Sequence, residues 1–287
     1  MRSVSKGPEP DLSSRYRVSP RISWMLTAAL LVAVASGLFL AYPFSESAPF
    51  VSTVGIENVV PFGDFWRRVH YFSAWLVLLS LLYHAVEALL ARAYLRRTPL
   101  SWLGLTLSLP LLFILAFTGY ITRWDETGRL AGYIAESLTL KIPLAGKTLD
   151  ALLFMVREDG VHRAYLFHIY GSLGLLLGMG VWHFRLRRLP LSELLLALVL
   201  CCGAALVIPV GLHAPGTYLL VKGPWFFVGI QEALRHLRPE VAGLLFPLAG
   251  PVFYLVVVFP RVRRAALLGL TLWGLLYGGL TLWGLWR

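Results

Sequence analysis

The sequence predicts an all-α membrane protein of about seven transmembrane helices, and three observations predict it. Of the 287 residues, 57% are hydrophobic and only 14% are charged. The apolar residues come in long blocks rather than in an amphipathic rhythm, at about 22–43, 65–92, 102–121, 164–184, 192–212, 240–259 and 265–285. Each block is near the ~20 residues that cross a bilayer as helix. Charge collects in the short segments between the blocks. Helix is the expected conformation throughout, because lipid offers no partner to an unpaired backbone group.

A polar, mixed-charge tail (1–21) precedes the first block. That block is long enough to span and lacks a small-residue cleavage site, so it reads as a retained first helix. The segment at about 44–64 leads to the second block. Basic connectors, "RAYLRRTP" and "RLRRLP", join the second block to the third and the fourth to the fifth. The longest connection, about 122–163, is too rich in Gly, Pro and charge to cross lipid, and a segment of that length is usually functional or disordered. Between blocks five and six, "HAPGTYLLVKGPWFFVGIQEALRHLRPE" mixes aromatic and polar residues as a short interfacial helix would. The expected division is a tail (1–21), a four-helix bundle (22–190) and a three-helix region (191–287).

The net charge of +11 raises the question of nucleic acid, and its distribution answers it. With the N-terminus inside and sides alternating, the inner segments hold fourteen basic residues, among them Arg92, Arg96, Arg97, Arg185, Arg187 and Arg188, against four acidic ones. That is +10, whereas the outer segments hold twelve basic and eleven acidic residues, or +1. This is the positive-inside rule. The expectation is therefore a multi-pass inner-membrane protein with a cytoplasmic N-terminus, surrounded by lipid and binding no nucleic acid. Cys201 and Cys202 are adjacent in an apolar block, make no metal or redox motif, and read as packing residues.

Histidines carry the chemistry. The second block, "WRRVHYFSAWLVLLSLLYHA", bears His70 and His84. Fourteen residues fall about 40° short of four helical turns, so the two share a face roughly 21 Å apart. The fourth block repeats this with His168 and His183, fifteen residues apart, about 60° past four turns and roughly 22 Å. Both helices run from outside to inside, so His70 meets His168 and His84 meets His183. Two axial imidazoles per site are how a low-spin haem iron is held. One membrane histidine alone would more readily suggest a carbonyl hydrogen bond or a proton relay; four, matched in depth on two parallel helices, point to two haems. Gly171, Gly174, Gly178 and Gly180 lie between the ligands of the fourth block and leave its surface clear for a porphyrin edge, or simply for helix packing. His162, His213 and His236 have no depth-matched partner and read as interfacial.

These segments resemble the cytochrome b/b6 family of quinol–cytochrome c and quinol–plastocyanin oxidoreductases. "RRVHYFSAWLVLLSLLYHA" looks like the b6 second helix, with an arginine three residues before the first ligand. "FTGYITRWDETGRLAGYI" is similar to the end of the family's third helix, G-Y-x-L-P-W, followed in b6 by D-Q. "VHRAYLFH" resembles the approach to the fourth helix, and 191–287 looks like the three helices of subunit IV. The resemblance implies two bis-histidine b haems as cofactors, on His70 with His168 and on His84 with His183, and Arg67 neutralising a propionate. It implies a quinol-oxidising pocket at the outer surface built from Gly119, Tyr120 and Trp124 with the segment Gly223 to Phe227, which contains Trp225. It also implies a homodimeric complex with a periplasmic Rieske or cytochrome c-type subunit.

The chain departs from that pattern in several places. Pro224 stands where the family has a proton-accepting glutamate, and Phe226 where it has a tyrosine. Thr122 and Arg123 replace the leucine and proline of G-Y-x-L-P-W, Glu87 occupies the position of a propionate-binding arginine, and the first span has no cysteine for a third, covalently held haem. Glu232, seven residues and nearly two helical turns beyond Trp225, is the expected substitute base. Two redox readings follow. In one, the chain is the di-haem subunit of a quinol-oxidising complex. In the other, it is a conduit that links a multihaem cytochrome c or iron–sulfur subunit to quinone at the cytoplasmic side. A non-redox scaffold or transporter whose histidines relay protons is the third.

Overall fold

The computed structural model describes residues 18–179, 189–214, 216 and 222–287, and every regular element among them is a helix. The seven apolar blocks appear as α1 (Pro20–Ala41), α3 (Gly63–Leu90), α4 (Pro99–Thr122), α8 (His162–Met179), α9 (Leu191–Val207), α11 (Phe246–Val256) and α12 (Arg263–Trp286). Of these, α1, α3, α4 and α12 are long and apolar enough to cross a membrane, while α9 and the stretch Val241–Val256 are shorter. The last begins as a π-turn over Val241–Leu245, just before Pro247 and Pro251 remove two backbone donors.

The connecting segments are helical too. The block pattern did not predict α2 (Pro49–Asn58), α5 (Glu126–Thr139), α6 (Gly146–Leu153) and α7 (Val156–Asp159), whereas α10 (Trp225–Ala233) lies where a short interfacial helix was expected. Proline at the first turn opens α1, α2 and α4, where its fixed φ suits the helix and its missing donor is not needed. Trp124 turns the chain out of α4 with a left-handed φ of 51°, and Asp125 then caps α5 by accepting from Gly128 N at 2.9 Å.

The bundle is assembled by α1 lying along α3 and α4 along α8, with α9 wedged against α1 and α3. Its centre is leucine-rich: Leu26 and Leu30 of α1, Leu81 of α3, Leu112 and Leu115 of α4 and Leu175 of α8 share one cluster. Cys201 is buried with Ala28, Val32, Val69 and Ala205, as a packing residue, and both cysteines are free thiols.

Two joints attach the C-terminal helices. Near the start of α4, Trp102 stacks on Tyr254 of α11 with centroids 5.0 Å apart, and its indole donates to the Tyr254 carbonyl at 2.9 Å. The Tyr254 hydroxyl donates in turn to Ala85 O of α3 at 3.1 Å. At the other end, α10 and α12 are tied by Tyr277, whose hydroxyl donates to Phe226 O at 2.5 Å.

Candidate haem and quinone sites

His70 on α3 and His168 on α8 come together, with ring centroids 5.9 Å apart and ring planes at 86°. His70 Nδ1 lies 2.9 Å from Ala33 O of α1, and His168 Nδ1 lies 2.8 Å from Leu115 O of α4. A carbonyl only accepts, so each Nδ1 carries the proton and each Nε2 keeps its lone pair for a metal. Two opposed imidazole nitrogens about 2 Å from one metal ion place their ring centroids about 6 Å apart, and the observed separation fits. Such second-shell carbonyl bonds fix the tautomer and aim the ring.

The glycines that make room for these rings are not on the ligands' own helices. A Cβ on Gly37 of α1 would stand 3.0 Å from His70 Cε1, and one on Gly119 of α4 would stand 2.5 Å from His168 Cε1. Of the glycines expected to line the pocket, Gly171 meets Leu115, Gly174 and Gly178 touch nothing within 4 Å, and Gly180 lies outside the described residues.

Toward the other end of α3, His84 Nδ1 is 3.4 Å from Ser23 Oγ of α1. The ring borders a cavity of about 240 Å³ lined by Ser23, Leu81, Arg97, Trp102 and Tyr254 among others. Arg97 supplies the positive charge there. Glu87 is engaged elsewhere, accepting from Ser19 N at 3.3 Å. His183 lies outside the described residues, so its pairing with His84 rests on spacing alone.

The family model Cytochrome b/b6/petB matches residues 11–189. The chain belongs to the cytochrome b/b6 family. Among curated relatives, cytochrome b6 of Heliobacterium mobile is 29% identical over 165 residues, covering 56% of this chain and 78% of the relative. Cytochrome b6 of Heliobacterium modesticaldum is 27% identical, with 55% and 76% covered. The menaquinol:cytochrome c reductase cytochrome b subunit of Geobacillus thermodenitrificans is 26% identical, with 55% and 73% covered. Among solved structures, a chain of a hyperthermophilic respiratory Complex III superposes with a TM-score of 0.71 at 18% identity, covering 93% of this chain and 84% of that one, a likeness of fold.

Cytochrome b/b6 proteins carry haem, and the residues here fit one. The imidazole pair presents two nitrogen lone pairs, the glycines leave ring-sized clearance, and Arg67 has a buried Nε with no hydrogen-bond partner, suited to a propionate. The rest of the Arg67 guanidinium is occupied: it bonds Val210 O, lies 3.2 Å from Glu57 and 3.8 Å from Asp64.

The residues expected around a quinone are brought only partly together by this cytochrome b/b6 fold. Trp225 packs on Trp75 of α3 at 5.2 Å, and Trp75 lies 6.1 Å from Tyr71, which neighbours Tyr120. The indole Nε1 of Trp225 is buried without an acceptor, a donor suited to a ligand carbonyl. Phe226 and Phe227 pack on Phe113 and Phe117 of α4. Trp124 turns toward Tyr133 of α5 instead.

Glu232 does not join that aromatic group. It faces the end of α12, with His236 at 3.1 Å, Arg235 at 3.3 Å and Arg287 at 3.5 Å. Burial alone would push its carboxyl up, but these cations outweigh burial and hold it below the usual carboxylate range. Seven residues are about 10 Å along a helix axis, so two turns of periodicity do not bring Glu232 to Trp225.

Sequence reasoning missed the polar cluster between α4 and α5. Asp125 is fully buried and accepts from Gly128 N, from His213 N at 3.1 Å and from Thr127 Oγ1 at 2.9 Å, with Arg123 beside it. Burial pushes the Asp125 carboxyl up, yet Arg123 and these donors prevail and hold it below the usual range. The legible signal was "WDETG", an N-cap aspartate directly before a helix start.

Proposed function

We propose that this chain is the di-haem cytochrome b subunit of a membrane quinol-oxidising complex. It would carry electrons between two b haems stacked across the bilayer and couple quinone chemistry to charge separation. The observation that carries the reading is the His70–His168 pair, with both Nδ1 atoms committed to carbonyls. Haem, when bound, supplies one-electron redox chemistry at each such pair, and bis-histidine ligation leaves no open position for substrate. In this reading His70 and His168 hold one haem and His84 and His183 the other, and Arg67 and Arg97 offset propionate charge. Residues 22–190 form the haem-binding bundle, and 191–287 supply the subunit IV-like wall of the quinone pocket.

The charge bias supports a cytoplasmic N-terminus in an inner membrane, which puts the His70 end, Tyr120 and Trp225 at the periplasmic side. There Trp225 would donate to a quinone oxygen while a periplasmic Rieske or cytochrome c-type subunit takes the other electron. Each charge moved through 100 mV stores about 2.3 kcal/mol. By the family pattern the complex would be a homodimer.

One observation favours the alternative, a conduit from a multihaem cytochrome c or iron–sulfur partner to quinone at the cytoplasmic side. Pro224 and Phe226 bring no base to the pocket, and Glu232 is turned away to Arg235, Arg287 and His236. Purification of the tagged chain with its partners, followed by haem quantitation and redox titration, tests both readings. Two low-spin b haems with a Rieske subunit are expected. One haem, or a high-spin majority, sinks the di-haem assignment, and a multihaem cytochrome in place of the Rieske subunit selects the conduit.

A further inference from the structure

Four polar groups run in one line from beside the haem-binding pair to the protein surface. Tyr120 follows Gly119, the glycine packed on His168, and its ring lies 4.7 Å from the guanidinium of Arg123, which also donates to Thr127. Thr127 Oγ1 donates to Asp125 Oδ1 at 2.9 Å. Asp125 Oδ2 lies 3.5 Å from His213 Nδ1. The middle of the line is closed to solvent and its far end open: Thr127 is 3% exposed and the Asp125 side chain 0%, whereas the His213 side chain is 44% exposed.

The hydrogens of the line point outward. Thr127 has a single O–H, and a carboxylate can only accept it. From Arg123, 3.1 Å away, Thr127 therefore accepts. Arg123 also touches Asp125 and helps keep it ionised, ready to take a proton rather than store one.

We infer that Tyr120, Thr127, Asp125 and His213 form the proton exit of the quinol pocket, in place of the glutamate lost at Pro224. The inference rests on the reading of that pocket as quinol-oxidising. A quinol becoming a quinone gives up two electrons, to the haem and to the redox partner, and two O–H protons. Each proton passes to the Tyr120 oxygen as Tyr120 releases its own to Thr127, and Thr127 releases its own to Asp125. Asp125 hands one on to the His213 imidazole, which yields one to water. No charge accumulates, but each passage leaves the Tyr120 and Thr127 hydroxyl hydrogens and the His213 tautomer reversed, and these turn back before the second proton follows. Pro224, Trp225 and Phe226 offer no competing acceptor, and Glu232 is spent on its own cations.

The test uses the complex purified with its partners and a short-chain quinol, following haem reduction by stopped flow at fixed pH. His213→Ala and Thr127→Val are each expected to slow reduction by roughly the 10²–10⁴-fold of a lost acid–base group, with haem spectra and midpoint potentials unmoved. Free imidazole in the buffer is expected to restore His213→Ala, since that site opens to solvent, and to leave Thr127→Val slow. Full rates in both variants, or a His213→Ala defect that imidazole does not relieve, overturn the relay alone. Wild-type reduction that proceeds only through a route blocked by a cytoplasmic-side quinone inhibitor overturns both the relay and the quinol-oxidising reading of the outer pocket.

Discussion

Replacing Gly119 by alanine adds one methyl group where the His168 ring now lies. The new Cβ would stand 2.5 Å from Cε1 and 3.0 Å from both ring nitrogens. Carbon atoms settle about 3.5–4.0 Å apart, so the ring must retreat by about 1 Å. The Nδ1 bond to Leu115 O, 2.8 Å long, then stretches past hydrogen-bond length. Loss of such a second-shell partner typically costs about 10–100-fold in metal affinity, or about 1.4–2.8 kcal/mol. Crowding of a packed site adds about 1–3 kcal/mol of destabilisation. The expected result is a purified variant with haem content reduced from two per chain toward one, and with one component of the redox titration missing or displaced. Gly55→Ala is the control: nothing lies within 4 Å of its added Cβ, so haem content should not move. Haem stoichiometry, spectrum and potentials all unchanged in Gly119→Ala would refute the placement of His168 as an axial ligand held by α4.

Replacing His84 or His183 should remove one redox component and leave the other largely in place; simultaneous loss of both would mean collapse of the bundle instead of one site. Cysteines placed at the exposed positions Lys147 and Gly216 should react with an impermeant thiol reagent in intact cells, and labelling only after lysis would invert the proposed sidedness. Because Glu232 is held below the usual carboxylate range, its ion pairs contribute fully above the ordinary carboxylate pKa and are lost as pH falls through the folded value. Denaturant unfolding followed by tryptophan fluorescence at a series of pH values should therefore show Glu232→Gln less stable than the wild type at neutral pH, with the difference vanishing at low pH; the same difference at every pH would contradict this.

The long helices and the approach of His70 to His168 were legible because length, apolarity and the spacing of histidines are properties of one segment at a time. What the sequence hid was relational. Gly37 and Gly119 matter because they sit across from imidazoles on other helices; nothing in α1 alone marks Gly37, and the motif in α4 marked Gly119 for the quinol pocket rather than for His168. Helices α2, α5, α6 and α7 lack a 20-residue apolar run and so passed as loop. The amphipathic faces of α5 and α6 become meaningful only against the bundle end that they cover. His213 looked unpartnered because depth-matching was sought among histidines, whereas its neighbour is a carboxylate 88 positions away.

The Trp102–Tyr254 stack and the Asp125–His213 contact lie in different parts of the bundle, yet each joins residues before 190 to residues after it. Together with α9 lodged on α1 and α3, they hold the two halves of the chain to each other without help from the peptide bond between them. Continuity of the polypeptide is then a matter of stoichiometry rather than adhesion: it guarantees one C-terminal half for every bundle. Two separately translated halves would need only to find each other once in the membrane, and the same side chains would keep them docked.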